Sequence, residues 1–177
     1  MDRYWEVDRQ SKEERLSQLF EDNFDRIMRY VASRVSNFAD AEDLAGEVFV
    51  KATESIDKYK ERGAPIQAWL FKIAHNLVID YQRRKKKIQF VPIEGMQAAD
   101  DEDVAKLAES MVEYQRVIKV LDKLTDDQRR VIELRFLGEL TSEETAKVMG
   151  KKSGTVRQVQ MVALEKIRKL LAQEDQA

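Results

Sequence analysis

The chain has no cysteine, one histidine, two prolines and six glycines among 177 residues. The missing thiols exclude a disulfide framework, thiolate metal sites and cysteine nucleophiles. With His75 as the one imidazole, a metal site would have to consist of carboxylates alone. The acidic run Asp100–Asp103 lacks the interposed glycine of a calcium loop. Neither a Gly-rich phosphate loop nor a Gly-x-Ser-x-Gly elbow is present. His75 reads as a packed or surface histidine. No catalytic residue, metal or cofactor is expected, and the chain does not read as an enzyme. No stretch approaches the ~20 apolar residues of a membrane span. Residues 1–15 are charged rather than apolar, which argues against a signal peptide. A soluble, cytoplasmic protein without membrane insertion is expected.

What is present is apolar residue (43%) and charge (36%). The first is enough for a packed core, and the second, with so little Pro and Gly, favours helices. At ~100–200 residues per domain the length allows one domain or two small ones. The net charge of −2 conceals a strong pattern. Residues 1–59 carry nine Lys and Arg against fourteen Asp and Glu, whereas 60–87 carry eight against two. Residues 88–118 are acidic again, two against seven, and 119–171 are basic, twelve against eight. Two basic blocks separated by an acidic one mark two places for a polyanion.

Helical spacing dominates the chain. Leu16, Phe20, Ile27, Val31 and Val35 mark a first helix fading near Asn37. Asp40 is a candidate cap for a second, with Ala41, Leu44, Val48, Ala52 and Ile56 on one face. Tyr59 to Ala64 reads as a loop pivoting on Gly63, and Pro65 suits the first turn of a third helix reaching about Lys87. Trp69, Ile73, Leu77 and Tyr81 are its expected inward residues. Pro92, Gly95 and the acidic run make 88–102 a linker. A long amphipathic helix follows from Val104 to about Leu124. Thr125–Gln128 and Thr141–Glu144 are capping-box patterns, with Gly138 placed to end the helix between them. Gly150 opens a turn before a final helix, about Gly154 to Leu171, whose inner face is Val156, Val159, Ala163, Ile167 and Leu170. The fold class is all-α: two small helical domains, 12–87 and 103–172, on a flexible acidic linker, 88–102. That linker's charge, Pro92 and Gly95 argue against fixed docking of one domain on the other.

The last two helices describe a helix-turn-helix. Its second helix offers Arg157, Gln158 and Gln160, read as exposed, and forked side chains of this kind bind guanine or adenine edges bidentately. Lys151, Lys152 and the amides near Ser153–Thr155 are placed to hold phosphates. An ordinary helical hairpin with a solvated outer face is the bland alternative. In the other basic block, Arg83–Lys87 is five consecutive cations preceded by Tyr59, Trp69, Phe71 and Tyr81. Cations beside aromatics suit a phosphate backbone and unstacked bases. A cationic helix end, favoured by the helix dipole, is the alternative there.

Four segments in order resemble a bacterial sigma factor of the small, two-domain extracytoplasmic-function type. They are Asp40-Ala-Glu-Asp-Leu-Ala-Gly-Glu-Val-Phe49; Ala68-Trp-Leu-Phe-Lys-Ile-Ala-His-Asn-Leu77 with Asp80, Arg83 and Arg84; Leu121-Asp-Lys-Leu-Thr-Asp-Asp-Gln-Arg-Arg-Val131; and Leu140 through Gly154-Thr-Val-Arg157. The resemblance spans roughly residues 12–172. It implies that Asp40, Glu42, Asp43, Leu44, Glu47 and Phe49 bind the clamp coiled coil of core RNA polymerase. It implies that the loop Lys60–Gln67, with Lys60, Arg62, Gly63 and Gln67, captures an unstacked base of the promoter minus-ten element. Trp69, Asn76, Asp80, Arg83 and Arg84 would read and grip that element. Lys151, Lys152, Ser153, Thr155, Arg157, Gln158 and Met161 would contact the minus-thirty-five element. The implied function is to direct core polymerase to promoters and aid their melting, with promoter DNA and core polymerase as partners and an anti-sigma factor as an optional third.

The sequence departs from that pattern at two places. Gly46 stands where Gln is usual, which loses an amide and ~1 kcal/mol of helix propensity. Val159, Met161 and Val162 occupy a stretch of the last helix where the family carries more basic residues. Two other readings are kept in view: a helix-turn-helix regulator acting without polymerase, which leaves the segments around 40–49 and 60–87 idle, and a nucleic-acid enzyme built on carboxylates.

Overall fold

The computed structural model describes residues 3–35, 37–59, 64–88 and 116–174. Helices α1 (Arg3–Ala32), α2 (Phe38–Ser55, continued by the 3-10 turn Ile56–Lys58) and α3 (Ile66–Ile88) form a first unit. The second contains α4 (helical over 116–121) and α5 (Asp126–Ile132), which runs on through a π-helical turn, Glu133–Leu137. It closes with α6 (Ser142–Met149) and α7 (Ser153–Glu174). No strand occurs among the described residues.

Local chemistry explains most helix ends. Both capping boxes form, with Thr125 and Gln128 opening α5 and Thr141 and Glu144 opening α6. Gly150 takes the left-handed conformation at the end of α6 (φ 64°), where the Lys151 amide donates to the Ala146 carbonyl at 2.9 Å. The cap of α2 is Asn37 rather than Asp40: the Asn37 backbone is extended and its side chain accepts from the Ala39 amide at 2.9 Å. Pro65 stands one residue ahead of α3, its carbonyl accepting the Trp69 amide at 3.2 Å. Lys60–Gly63, the linker beyond Ile88 and residues 104–115 of the long helix lie outside the described residues. That helix ends at 121, and Leu124 is buried in the turn that follows.

The core departs from the periodicity at two helices. On α1 the buried stripe is Leu19, Ile27, Tyr30 and Val31, while Leu16 is half-buried and Phe20 lies 43% exposed. On α3 only Leu77 of the expected inward residues is buried; Trp69, Ile73 and Tyr81 are partly so. The fully enclosed positions are Leu70, Phe71, Ala74 and Val78. Helix α3 is covered on two sides, by α1 and α2 and by α6 of the second unit. A single-face reading cannot find such a helix.

The two units are therefore docked, contrary to what the linker composition suggested. Leu134, Leu140 and Val148 of the second unit share the apolar core of α1–α3. Arg26 Nε donates to the Gly138 carbonyl (2.9 Å) and its Nη2 to the Glu139 carbonyl (3.1 Å). Arg129 Nη2 donates to the Ser33 carbonyl at 2.7 Å. Gly138 is required by closeness, not by φ: a Cβ there would sit 2.6 Å from Cε1 of Phe71. Linker composition governs the linker alone, and apolar faces and arginines set back in the helices decide the docking.

His75 lies under this junction, buried, with Nδ1 3.0 Å from the Tyr30 hydroxyl. Burial, with Arg130 and Arg34 nearby, lowers its pKa from 6.5 to about 4, and burial pushes Tyr30 up to about 12. A base whose pKa is depressed on folding binds fewer protons folded than unfolded between those two values. Stability is therefore full above pH 6.5 and falls as pH drops toward 4, by up to ~1.4 kcal/mol per pH unit. Urea midpoints at pH 7.5 and 5.0 test this. His75→Gln should flatten the difference, and an equal pH dependence in the variant would assign it to other groups.

Candidate nucleic-acid interface

Asn76, Asp80, Arg83 and Arg84 recur at helical spacing along α3, and all four are exposed. Asp80 and Arg83 pair at 3.4 Å on that face. Gln67 is half-buried in the first turn. Trp69 is partly buried against the core and stacked on Tyr59, ring centroids 5.0 Å apart. The Tyr59 hydroxyl donates to the Ala64 carbonyl at 2.6 Å, tying together the two ends of the segment that carries Lys60, Arg62 and Gly63. Those three residues lie outside the described ones.

Lys85, missing from the sequence-derived set, makes the most connected contact of this basic end. Its ammonium donates to the Tyr81 hydroxyl (2.6 Å) and lies 3.4 Å from the Asp40 carboxylate and 5.0 Å from the Tyr81 ring centroid. Tyr81 in turn donates to Asp40 at 2.5 Å. The Tyr81 hydrogen bond, with Lys85, lowers the Asp40 pKa, and the same hydroxyl raises that of Lys85. Asp40 thus fastens the start of α2 to the end of α3, and its carboxylate is engaged within the chain.

Of the other clamp candidates, Glu42 and Asp43 are exposed and Glu47 is half-exposed, 3.6 Å from Lys51. Leu44 and Phe49 belong to the core, because the stripe through Ala41, Leu44 and Val48 faces inward. The apolar part of this surface comes from residues the sequence reading did not select. Phe20 is edge-on to Phe49 and stacked near Phe24, with centroids 4.8 Å apart in both pairs. Phe38 and Val50 are 68% and 57% exposed.

In the second unit, α6, the Gly150 turn and α7 form the helix-turn-helix. Lys151, Lys152, Thr155, Arg157, Gln158 and Met161 are exposed, and Ser153 is half-buried. Lys151 pairs with Asp127 at 2.8 Å and Arg157 with Glu143 at 3.3 Å. Gln160 is not free: it is half-buried and accepts from Arg135 Nε at 2.8 Å. Arg135 also donates to the Leu140 carbonyl, so it braces α7 against the turn before α6.

Residues 19–88 match the family model for Sigma-70 region 2, and 120–169 match that for Sigma-70, region 4. The ECF RNA polymerase sigma factor ShbA of Streptomyces griseus is 33% identical over 156 residues, covering 82% of this chain and 82% of that protein. The chain belongs to the ECF sigma factors of RNA polymerase. A second member, BldN of Streptomyces coelicolor, is 32% identical over 157 residues, which are 86% of this chain and 59% of BldN. Among solved structures, the sigma factor RpoE bound to the anti-sigma factor NepR, from Bartonella quintana, superposes with a TM-score of 0.67. It is 24% identical and covers 88% of this chain and 96% of that one, a likeness of fold. No described helix is long and apolar enough to cross a membrane.

Gly154 in the first turn of α7 has no internal reason to be glycine. Its φ is not left-handed, and a Cβ there would meet nothing within 4 Å. Helical glycine costs roughly 0.5–1 kcal/mol relative to alanine. The missing Cβ leaves room at the helix N-terminus, where backbone amides favour an approaching anion. Gly154→Ala should therefore raise thermal stability while weakening binding to a minus-thirty-five duplex several-fold. Higher stability with unchanged affinity would remove Gly154 from the contact.

Gln158→Ala should relax selectivity at one or two base pairs, by about 1–3 kcal/mol for a lost bidentate contact. Competition binding against a panel of single-base variants measures it. A uniform loss across the panel would make Gln158 a backbone contact.

Proposed function

We propose that this chain loads core RNA polymerase onto promoters by using its two units at two separate DNA elements. The observation that carries the reading is one chain with two helical units, each presenting an exposed basic face. In this reading 12–87 binds the polymerase clamp through Glu42, Asp43 and Glu47 and the aromatic rim of Phe20 and Phe38. The face carrying Asn76, Asp80, Arg83 and Arg84 grips the minus-ten element. The unit 103–172 reads the minus-thirty-five element through Arg157 and Gln158, with Lys151, Lys152 and the start of α7 on phosphates. The linker 88–102 lies between them. The work is binding and positioning rather than catalysis, and it takes place in the cytoplasm, where the polymerase is.

Each face is weak by itself. Tethering two weak sites at the correct separation raises effective concentration by orders of magnitude. Promoter footprinting with and without core polymerase tests this. The expected result is protection of both elements only with core enzyme. Equal protection by the chain alone would establish a regulator that acts without polymerase.

A further inference from the structure

We propose that Met161 and Val162 read the C5 methyl groups of thymines, an apolar readout beside the polar contacts of Arg157 and Gln158. The proposal rests on the reading of α7 as the helix that enters the major groove of the minus-thirty-five element. It adds the class of base that this helix selects and the side chains that select it.

The register of α7 carries the argument. Val156 and Val159 pack with Val131 of α5 and Ala146 of α6, and Ala163, Leu164 and Ile167 pack with Ile132 of α5. Gln160 is held by Arg135 at 2.8 Å. Met161 and Val162 fall off this inward stripe and lie 65% and 45% exposed. Met161 follows Arg157 by four residues and Gln158 by three, and Val162 follows Gln158 by four. Both therefore stand one turn further along the face that presents Arg157 and Gln158.

Single apolar residues are ordinary on a protein surface, but these two are adjacent and continue the face assigned to base edges. No cation stands between Arg157 and Lys166, and the acidic residue of that stretch, Glu165, is paired with Lys169 at 2.9 Å. This turn of the helix has no charge with which to hold a phosphate. In the major groove the base edges present donors and acceptors, and the thymine methyl is the apolar group among them. An apolar side chain pressed on a donor or acceptor strips its water without replacing the hydrogen bond. Against a methyl, both surfaces leave water favourably. Met161 is the longer, more adaptable and more exposed of the two, so it carries the larger share.

Deoxyuridine isolates the contact, because it keeps the pairing and the O4 acceptor of thymine and lacks only the methyl. The full chain is assembled with core polymerase, and a promoter duplex randomised over its upstream element is selected for binding. Each thymine of the selected duplex is then replaced by deoxyuridine, one at a time on either strand, and affinity is measured. One or two replacements should weaken binding roughly fourfold each, the effect of one buried methyl. Met161→Ala should bind the thymine duplex with a similar loss and no longer distinguish uracil at one of those positions. Val162→Ala should do the same at a neighbouring position, and Gln158→Ala should keep both sensitivities. Both alanines replace exposed helical residues and favour the helix, so the fold is retained.

Equal affinity for the uracil duplexes, or undiminished methyl sensitivity in Met161→Ala and Val162→Ala, would overturn the proposal and leave the promoter reading standing. Failure to select any sequence would overturn both. Unchanged duplex affinity of the two variants with reduced initiation would overturn it in favour of a protein partner on this face.

Discussion

A carboxylate with no access to water is the constraint around which this molecule is arranged. Burying an isolated charge costs several kcal/mol even after relaxation, so Glu133 has to be met by cations with good geometry. Two guanidiniums meet it, and one of them, Arg34, belongs to the other unit. Pairing Glu133 with Arg34 and docking the units are thus one event. The neighbouring groups register the same dry, charged environment: Tyr30 is pushed up and His75 down by burial, with Arg34 and Arg130 acting on both. The close approach of Phe71 to Gly138 belongs to this junction as well, since only a residue without Cβ lets the ring lie against that turn.

The surfaces assigned to nucleic acid follow a different rule. Three of their cations are paired with carboxylates of the same chain, Arg83 with Asp80, Lys151 with Asp127 and Arg157 with Glu143. Exposed pairs of this kind contribute 0–1 kcal/mol, little enough for a phosphate to displace them, yet they hold long side chains in one orientation. The buried pair at Glu133 and the exposed pairs on the DNA faces differ in environment rather than in chemistry. One set fixes the arrangement of the units, and the other remains available to a partner.

Gly46 and Gly154 stand apart from both sets. Neither has a left-handed backbone, and neither would clash with a Cβ, so each weakens its helix without an internal return. Gly154 lies in the helix assigned to DNA and Gly46 in the one assigned to polymerase.

By itself, the sequence determined the features that arise within a few residues. Thr125 with Gln128, Thr141 with Glu144, and Gly150 specify their helix ends because each satisfies backbone groups one turn away. The all-helical class, the helix-turn-helix and the exposed basic face of α3 follow from composition and spacing in the same local way. Asn37 in place of Asp40 shows the limit of that reading: both residue types can cap, and the backbone at 37 made the choice. Tertiary structure alone decided what depends on residues far apart in the chain. It made α3 a doubly covered helix, turned Asp40 toward Tyr81 and Lys85, enclosed Leu44 and Phe49, tied Gln160 to Arg135 and brought Arg34 to Glu133 across 99 positions. An arginine or glutamate in sequence carries no mark of whether it will meet water, phosphate or a buried counter-charge. That is settled by which surface folding presses against it.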